Sequence, residues 1–137
     1  MVVAGAGTMG RGIAYVSALA GLETTLVDVD ARVLTDASAH IERLLLGGVS
    51  RGTLTEQAAH DVQRRIATST DLVCAGRATV VIEAIVERLD VKRLLFTELD
   101  AIAPQETLLA SNTSSLSIAS IAAATGTPHR VVGMHFF

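Results

Sequence analysis

The chain has 137 residues, half of them hydrophobic and only 3% aromatic, and its formal net charge is −3. This length is sufficient for one domain with a buried core, and a mildly acidic balance without a basic run argues against nucleic acid as the main partner. Cys74 is the single cysteine, which excludes an internal disulfide and a cysteine-based metal site, and the absence of any run of about 18 apolar residues predicts no membrane span.

The N-terminal residues predict a buried strand over 2–5, a glycine turn and a helix over 8–20. The spacing Gly5-x-Gly7-x-x-Gly10 is the dinucleotide-binding fingerprint. Its first glycine permits a tight turn, its second lets a pyrophosphate approach the backbone, and its third lets the helix pack closely on the sheet. The helix start directs free N–H groups and a positive dipole end at that phosphate. We therefore predict cofactor contacts from Gly5, Gly7, Thr8, Met9 and Gly10, although glycine turns without a ligand share the pattern.

The second predicted strand, over 24–28, ends in an acid. Asp28 lies 18 positions after Gly10, near the spacing expected for a carboxylate that binds the adenosine ribose hydroxyls. A 2′-phosphate at that position would meet like charge, so NAD(H) is favoured over NADP(H), and nearby Arg32 would offset part of the repulsion. The alternative role of Asp28 is to cap the next helix.

The remaining elements alternate along the chain. Helices are predicted over 31–46, 53–66, 88–103 and 117–124, and strands over 67–70, 79–84, 107–111 and 130–135, with a turn or short helical segment at 71–76. Gly47 and Gly48 are expected to end the first of these helices, and Thr53-Leu54-Thr55-Glu56 has the capping-box spacing that begins the second. Strands that alternate with helices predict an α/β fold of Rossmann type, a doubly wound, mainly parallel sheet with helices on both faces.

Ligands of such sheets bind beyond the carboxyl ends of the strands. The predicted strands place five segments there, namely the glycine turn, Asp28, Ala84–Glu87, Ser111–Ser115 and His135. The polar loop after residue 111 is open to two interpretations, helix capping or ligand contact. If Ser115 or Ser117 caps the following helix, Asn112 and Ser114 remain to face a ligand.

Three further side chains have two interpretations each. His135 stands between apolar neighbours, which is typical of a core histidine, but at a ligand-facing strand end an imidazole can carry a proton near neutral pH. Glu87 and Lys92 lie five positions apart around a helix start, and their chemistry alone favours an exposed, charged first turn.

In these segments the chain resembles the NAD-binding domain of the L-3-hydroxyacyl-CoA dehydrogenases, which include 3-hydroxybutyryl-CoA members. The matching pieces occur in the family's order and cover essentially the whole chain. They are Gly5–Gly10 with Gly12–Ala14, Val27–Asp28, Glu83–Glu87 with Val91–Lys92, Ser111–Ser115 and Gly133–Phe137. The glycine motif is shared with many dehydrogenases, whereas Ser-Asn-Thr-Ser-Ser followed by His-Phe-Phe is far more specific.

The resemblance implies NAD-dependent oxidation of L-3-hydroxyacyl-CoA to 3-oxoacyl-CoA. The family's histidine at His135 is the general base for the substrate 3-hydroxyl, and its serine at Ser114 hydrogen-bonds the substrate near the nicotinamide. Residues matching Glu87 and Lys92 contact the cofactor, and Asn112 belongs to the active-site loop. We therefore expect catalytic roles for His135, Ser114 and Asn112. Cofactor contacts are expected from Gly5, Gly7, Thr8, Met9, Gly10, Asp28, Ala84, Glu87, Lys92 and Ser114.

The family's pattern continues beyond the point that Phe137 matches. There His-Phe-Phe runs on into Asn-Pro, a glutamate about a dozen residues later pairs with the histidine, and a helical second domain closes over the acyl-CoA and forms the dimer. We expect residues 1–137 to be the NAD-binding domain of such a homodimer. Alone, this domain should bind NAD(H) but turn over poorly, because His135 lacks its carboxylate partner.

Two other functions stay open at this point. One is a non-catalytic NAD-sensing module, and the other is a Rossmann dehydrogenase of the 3-hydroxyisobutyrate type, which shares the Gly-x-Gly-x-Met-Gly turn but lacks Ser111–Ser115 followed by His135. A short-chain dehydrogenase is disfavoured because Tyr15 has Leu19, not lysine, four residues on. The lone cysteine and the absence of a secretory leader favour a reducing, cytoplasmic setting.

Overall fold

The computed structural model describes residues 1–137, which form one six-stranded sheet flanked by helices. In chain order the elements are β1 (Val2–Ala4), α1 (Thr8–Leu19), β2 (Thr24–Val27), α2 (Ala31–Ser50), α3 (Glu56–Arg64), β3 (Ile66–Ser69), a 3₁₀ segment (Leu72–Arg77), β4 (Val80–Glu83), α4 (Leu89–Ile102), β5 (Leu108–Ser111), α5 (Ile118–Ala122), a second 3₁₀ segment (Pro128–Arg130) and β6 (Val131–Gly133). No helix combines the length and the apolar character that a membrane crossing requires.

The sheet is parallel throughout, and its strand order is β3-β2-β1-β4-β5-β6. The chain winds outward from β1 in one direction through β2 and β3, then returns to the other side of β1 with β4. The predicted doubly wound Rossmann fold is therefore confirmed, and the crevice expected at the reversal of strand order lies between β1 and β4.

Alternate residues of the inner strands enter two separate cores, as the pleat of a strand requires. One core contains Val2, Val81 and Leu109 together with Phe96 and Leu99 of α4. The other contains Val3, Ile82 and Ala110 together with Ile13 of α1 and Leu34 of α2. Because helices cover both faces, these strands consist of continuous apolar residues.

The prediction that Gly47 and Gly48 end α2 is wrong, because the helix continues to Ser50. Gly48 is buried, and a Cβ atom there would lie 2.8 Å from Cδ1 of Leu54. Its small size thus serves close packing of the helix against the turn that follows. The chain leaves the helix near Gly52, whose φ of +71° favours glycine.

The capping-box assignment at the start of α3 is also wrong. The N-cap is Thr55, whose hydroxyl accepts the N–H of Ala58 at 3.1 Å. The hydroxyl of Thr53 instead donates to the carbonyl of Gly48 at 3.0 Å, which ties the turn back to α2. Either threonine can cap a helix, and the bond of Thr53 to the end of α2 leaves Thr55 as the cap.

Candidate active site

The carboxyl ends of five strands form one level edge of the sheet. The register pairs Ala4 with Val27 and Glu83, Glu83 with Ser111, and Ser111 with Gly133. The loops that follow these residues therefore begin side by side. Each of them carries residues that the sequence predicted for the site, so the fold brings those residues to a common edge.

The glycine turn after β1 has the geometry of a phosphate cradle. Gly5 has a φ of +101°, and a Cβ atom at Gly10 would lie 1.7 Å from the carbonyl oxygen of Gly5, so the first turn of α1 packs directly on the loop. A Cβ atom at Gly7 would meet nothing within 4 Å. Gly7 is also the N-cap of α1 and supplies no side-chain acceptor, which leaves the first-turn N–H groups available to an anion.

Asp28 stabilises this turn from the end of β2. Its carboxylate accepts the N–H of Ala6 at 2.9 Å through Oδ2 and the N–H of Asp30 at 3.1 Å through Oδ1. The alternative role of Asp28 as a helix cap is wrong, because Asp30 is the N-cap of α2 and accepts the N–H of Arg32 at 2.8 Å. Arg32 pairs with Asp30 at 3.5 Å, so Asp28 keeps an unneutralised negative charge beside the phosphate cradle.

Several predicted residues line one cleft of about 260 Å³ between the glycine turn and the loops after β4, β5 and β6. Its lining consists of Met9, Ala84, Ile85, Glu87, Asn112, Ser114, His135 and Phe136. A larger cavity of about 470 Å³ lies at the opposite ends of the strands, near Met1, Thr24 and Cys74, and contains none of the predicted residues.

His135 is exposed and lies two residues beyond the end of β6, not within that strand as predicted. Asn112 holds its segment in place, because its side-chain oxygen accepts the N–H of Phe136 at 2.6 Å. Backbone bonds from Met134 to Ser111, at 2.9 Å, and from Asn112 to Glu83, at 2.8 Å, continue the connection to β5 and β4. The imidazole thus faces the cleft, and the interpretation of a buried core histidine is wrong.

Glu87 connects the loop after β4 to the loop after β5. Its Oε1 accepts the hydroxyl of Thr113, the N–H of Ser114 at 3.2 Å and the hydroxyl of Ser115 at 3.4 Å. Burial raises the pKa of Glu87, but the bonds from Thr113 and Lys92 outweigh it and hold the pKa below its ordinary value. Glu87 is therefore an anion at neutral pH, with 41% of its side chain exposed.

Lys92 is buried, so the interpretation of an exposed charged turn is wrong for it. Its side chain is 1% exposed, and its ammonium bonds Oε1 of Glu83 and lies 3.2 Å from Oε2 of Glu87. Glu83 is completely buried at the end of β4, and it also accepts the N–H of Ile85 at 2.8 Å and the hydroxyl of Ser111 at 2.6 Å.

Sequence reasoning assigned no role to Glu83, Ser111 or Thr113, although all three organise the site. A signal for Glu83 was present, because a carboxylate inside the apolar run 79–84 requires a buried partner. No comparable local signal distinguishes Thr113, which is 8% exposed and bonds Glu87, from the serines beside it. Capping of α5 falls to Ser117, which accepts the N–H of Ser120 at 3.2 Å.

Comparison with known proteins identifies the relatives of this chain. Residues 1–137 match the family described as 3-hydroxyacyl-CoA dehydrogenase, NAD binding domain. The chain is 44% identical over its whole length to 3-hydroxyadipyl-CoA dehydrogenase of Escherichia coli, of which it covers 29%. It is 44% identical over 98% of its length to 3-hydroxybutyryl-CoA dehydrogenase of Bradyrhizobium diazoefficiens, of which it covers 46%. A crystal structure of 3-hydroxybutyryl-CoA dehydrogenase from E. coli superposes with a TM-score of 0.97 at 44% identity, covering all of this chain and 29% of that one. The chain thus spans less than half the length of these relatives.

Proposed function

Because the chain belongs to the family of NAD-binding domains of 3-hydroxyacyl-CoA dehydrogenases, we propose that it is the cofactor-binding half of an enzyme that oxidises L-3-hydroxyacyl-CoA to 3-oxoacyl-CoA. The observation that carries this proposal is the cleft in which His135 meets Met9, Glu87 and Ser114. A proton acceptor, a hydroxyl donor and the start of the phosphate-binding helix lie around one volume, as hydride transfer from an alcohol requires.

The glycine turn and Asp28 would hold NAD(H). The open space at Gly7 admits the pyrophosphate to the N–H groups of α1, and the Asp28 carboxylate has lone pairs left for the ribose hydroxyls. When bound, NAD+ supplies the hydride acceptor that the protein's own side chains lack.

The side chains on the other side of the cleft would handle the substrate hydroxyl. His135 accepts the proton of the 3-hydroxyl at an imidazole nitrogen as the hydride leaves C3. Ser114 is exposed in the cleft, and the bond from its N–H to Glu87 fixes its backbone. Its hydroxyl can therefore hold the oxygen of the substrate 3-hydroxyl in line. Asn112 acts by holding the segment of His135, since its side-chain oxygen bonds the Phe136 N–H.

The proposal extends to a longer protein. The chain covers 29% and 46% of two relatives, which supports a longer protein. From the family resemblance we propose that a helical domain follows, that it closes over the acyl-CoA and forms a homodimer, and that the enzyme works in the cytoplasm. The coding sequence after the Phe137 codon tests this directly, since we expect Asn-Pro next and a glutamate about a dozen residues later.

Two measurements test the function. Residues 1–137 are expected to bind NADH in a calorimetric titration, and the longer protein is expected to oxidise 3-hydroxybutyryl-CoA with NAD+ far faster than residues 1–137 alone. NADH binding without turnover by the longer protein would instead indicate an NAD-sensing module. Turnover by residues 1–137 at ordinary enzyme rates would contradict the need for a carboxylate partner outside them.

Replacing Asp28 with alanine is expected to weaken NADH binding by about 1–3 kcal/mol, a factor of about 5–150, because a charged hydrogen-bonding partner is lost. The difference between NADH and NADPH affinity should narrow as well, because the like charge opposite a 2′-phosphate disappears. Calorimetric titration of both cofactors measures the two effects.

The matched control is Asp30→Ala, which removes the neighbouring carboxylate that caps α2 and pairs with Arg32. This variant should lose about 1 kcal/mol of stability and keep its NADH affinity within twofold. Equal NADH affinity in Asp28→Ala and the unaltered chain would remove Asp28 from the cofactor site.

A further inference from the structure

Behind the cleft, the ammonium of Lys92 lies between a fully buried carboxylate, Glu83, and a half-exposed one, Glu87. We propose that Glu83 and Lys92 are a positioning pair, which sets the place of Glu87 and, through it, of Ser114 at the cofactor cleft. The proposal rests on the proposed NAD-binding function. The side chain of Lys92 is 1% exposed, and its predicted cofactor contact stays a prediction.

The bonds of Glu83 extend to both loops that form the cleft. Through Oε1 it accepts the N–H of Ile85 at 2.8 Å, in the loop after β4, and through Oε2 it accepts the hydroxyl of Ser111 at 2.6 Å, at the end of β5. The second carboxylate bonded by Lys92 belongs to Glu87. A single buried network therefore defines where both loops leave the sheet.

From Glu87 the connection continues to the loop of the proposed catalytic serine. Oε2 of Glu87 is held by Lys92, so Oε1 is directed at the loop after β5 and receives the Thr113 hydroxyl and the Ser114 N–H. Glu83, Lys92 and Glu87 thus form a chain of contacts with a net charge of −1, from the closed core to the cleft wall. Only the last of them, Glu87, reaches the cleft.

Stability alone is a weak reason for this arrangement. Replacing a buried ion pair with neutral side chains of similar volume is often neutral or stabilising, because desolvation opposes the attraction of the charges. The distinctive consequence of the pair concerns position. The Lys92 ammonium is bonded to Glu83 on a strand, so it can restrain the carboxylate of Glu87 in the loop. The two roles make different predictions for a variant that loses both charges.

The test is the double variant Glu83→Gln/Lys92→Met, which keeps both side-chain volumes and leaves no buried charge unpaired. We expect thermal unfolding near that of the unaltered chain, but a loss of at least tenfold in NADH affinity by titration. We also expect a shift of the Ser114 amide resonance in the ligand-free chain, because its acceptor Glu87 is released. An NADH affinity within twofold of the unaltered chain and an unmoved Ser114 amide resonance would overturn the proposal.

A thermodynamic cycle that combines the double variant with Glu87→Ala shows whether the pair acts through Glu87. In that background the double variant is expected to cause no further loss of affinity, and a full tenfold loss there would overturn the proposal. The matched control is Asp100→Asn/Arg130→Met, which neutralises a pair 2.8 Å apart whose side chains are 16% and 5% exposed. Neither residue lines the cleft, so NADH affinity should stay unchanged.

If the double variant does not fold, Ser111→Ala replaces it. This change removes only the hydroxyl bond to Glu83, and we expect about a threefold loss of NADH affinity that vanishes in the Glu87→Ala background. Persistence of the loss in that background would overturn the proposal. Failure of the unaltered chain to bind NADH would overturn the proposed function itself, which keeps the two failures distinct.

Discussion

Replacing His135 with alanine is expected to lower kcat for 3-hydroxybutyryl-CoA oxidation in the longer protein by about 10²–10⁴-fold, the usual contribution of a positioned general base. NADH affinity should stay within twofold, because the imidazole belongs to the segment after β6 and the phosphate cradle is the turn after β1. Steady-state turnover and calorimetric titration of NADH, performed on the same preparations, separate the two effects.

Two further variants serve as controls for this loss. His129 lies in the second 3₁₀ segment, before β6 and away from the cleft, so His129→Ala should retain kcat within twofold. Asn112→Ala should give an intermediate loss, because the Phe136 N–H loses its acceptor and the segment that carries His135 becomes less restrained. Unchanged turnover in His135→Ala would end the assignment of His135 as the base.

Replacing Gly10 with alanine is expected to abolish NADH binding and to lower the free energy of unfolding by about 3 kcal/mol, the upper end of the usual cost of overpacking that shifts the backbone. The new Cβ atom would lie 1.7 Å from the carbonyl oxygen of Gly5, so α1 has to shift away from the turn. Urea unfolding and NADH titration measure the two losses.

Two neighbouring glycines are the controls, Gly7 of the motif and Gly12, which follows it in α1. A Cβ atom at Gly12 would meet nothing within 4 Å, so Gly12→Ala should raise stability by up to about 1 kcal/mol through its helix propensity. The added methyl group of Gly7→Ala also meets no protein atom, so this variant should preserve stability. It should weaken NADH binding, because the methyl group enters the proposed path of the pyrophosphate. Full NADH affinity in Gly10→Ala would show that close packing of α1 on the turn is not needed for binding.

The sequence predicted the architecture well because its signals there are local and repeated. Continuous apolar strands such as 79–84, alternating with amphipathic helices, leave few ways to bury both faces of a parallel sheet. Its errors at Gly47, Gly48 and Thr53 share one cause. A glycine or threonine has the same local preferences wherever it stands, and the contacts between α2 and the turn before α3 decide how each is used.

For the site, local sequence patterns were enough to predict which chemical groups reach the carboxyl edge of the sheet, because motif spacing follows from the lengths of strands and helices. They therefore predicted the glycine turn, Asp28, Ser114 and His135 as neighbours. How the charges are distributed among them depends instead on contacts between elements far apart in the chain. Whether Lys92 is exposed or buried depends on Glu83, nine positions earlier and on another element. Likewise the place of His135 depends on the bond between Asn112 and Phe136, 24 positions apart. Such partners meet only after β4, β5 and β6 have paired, so no local pattern encodes them.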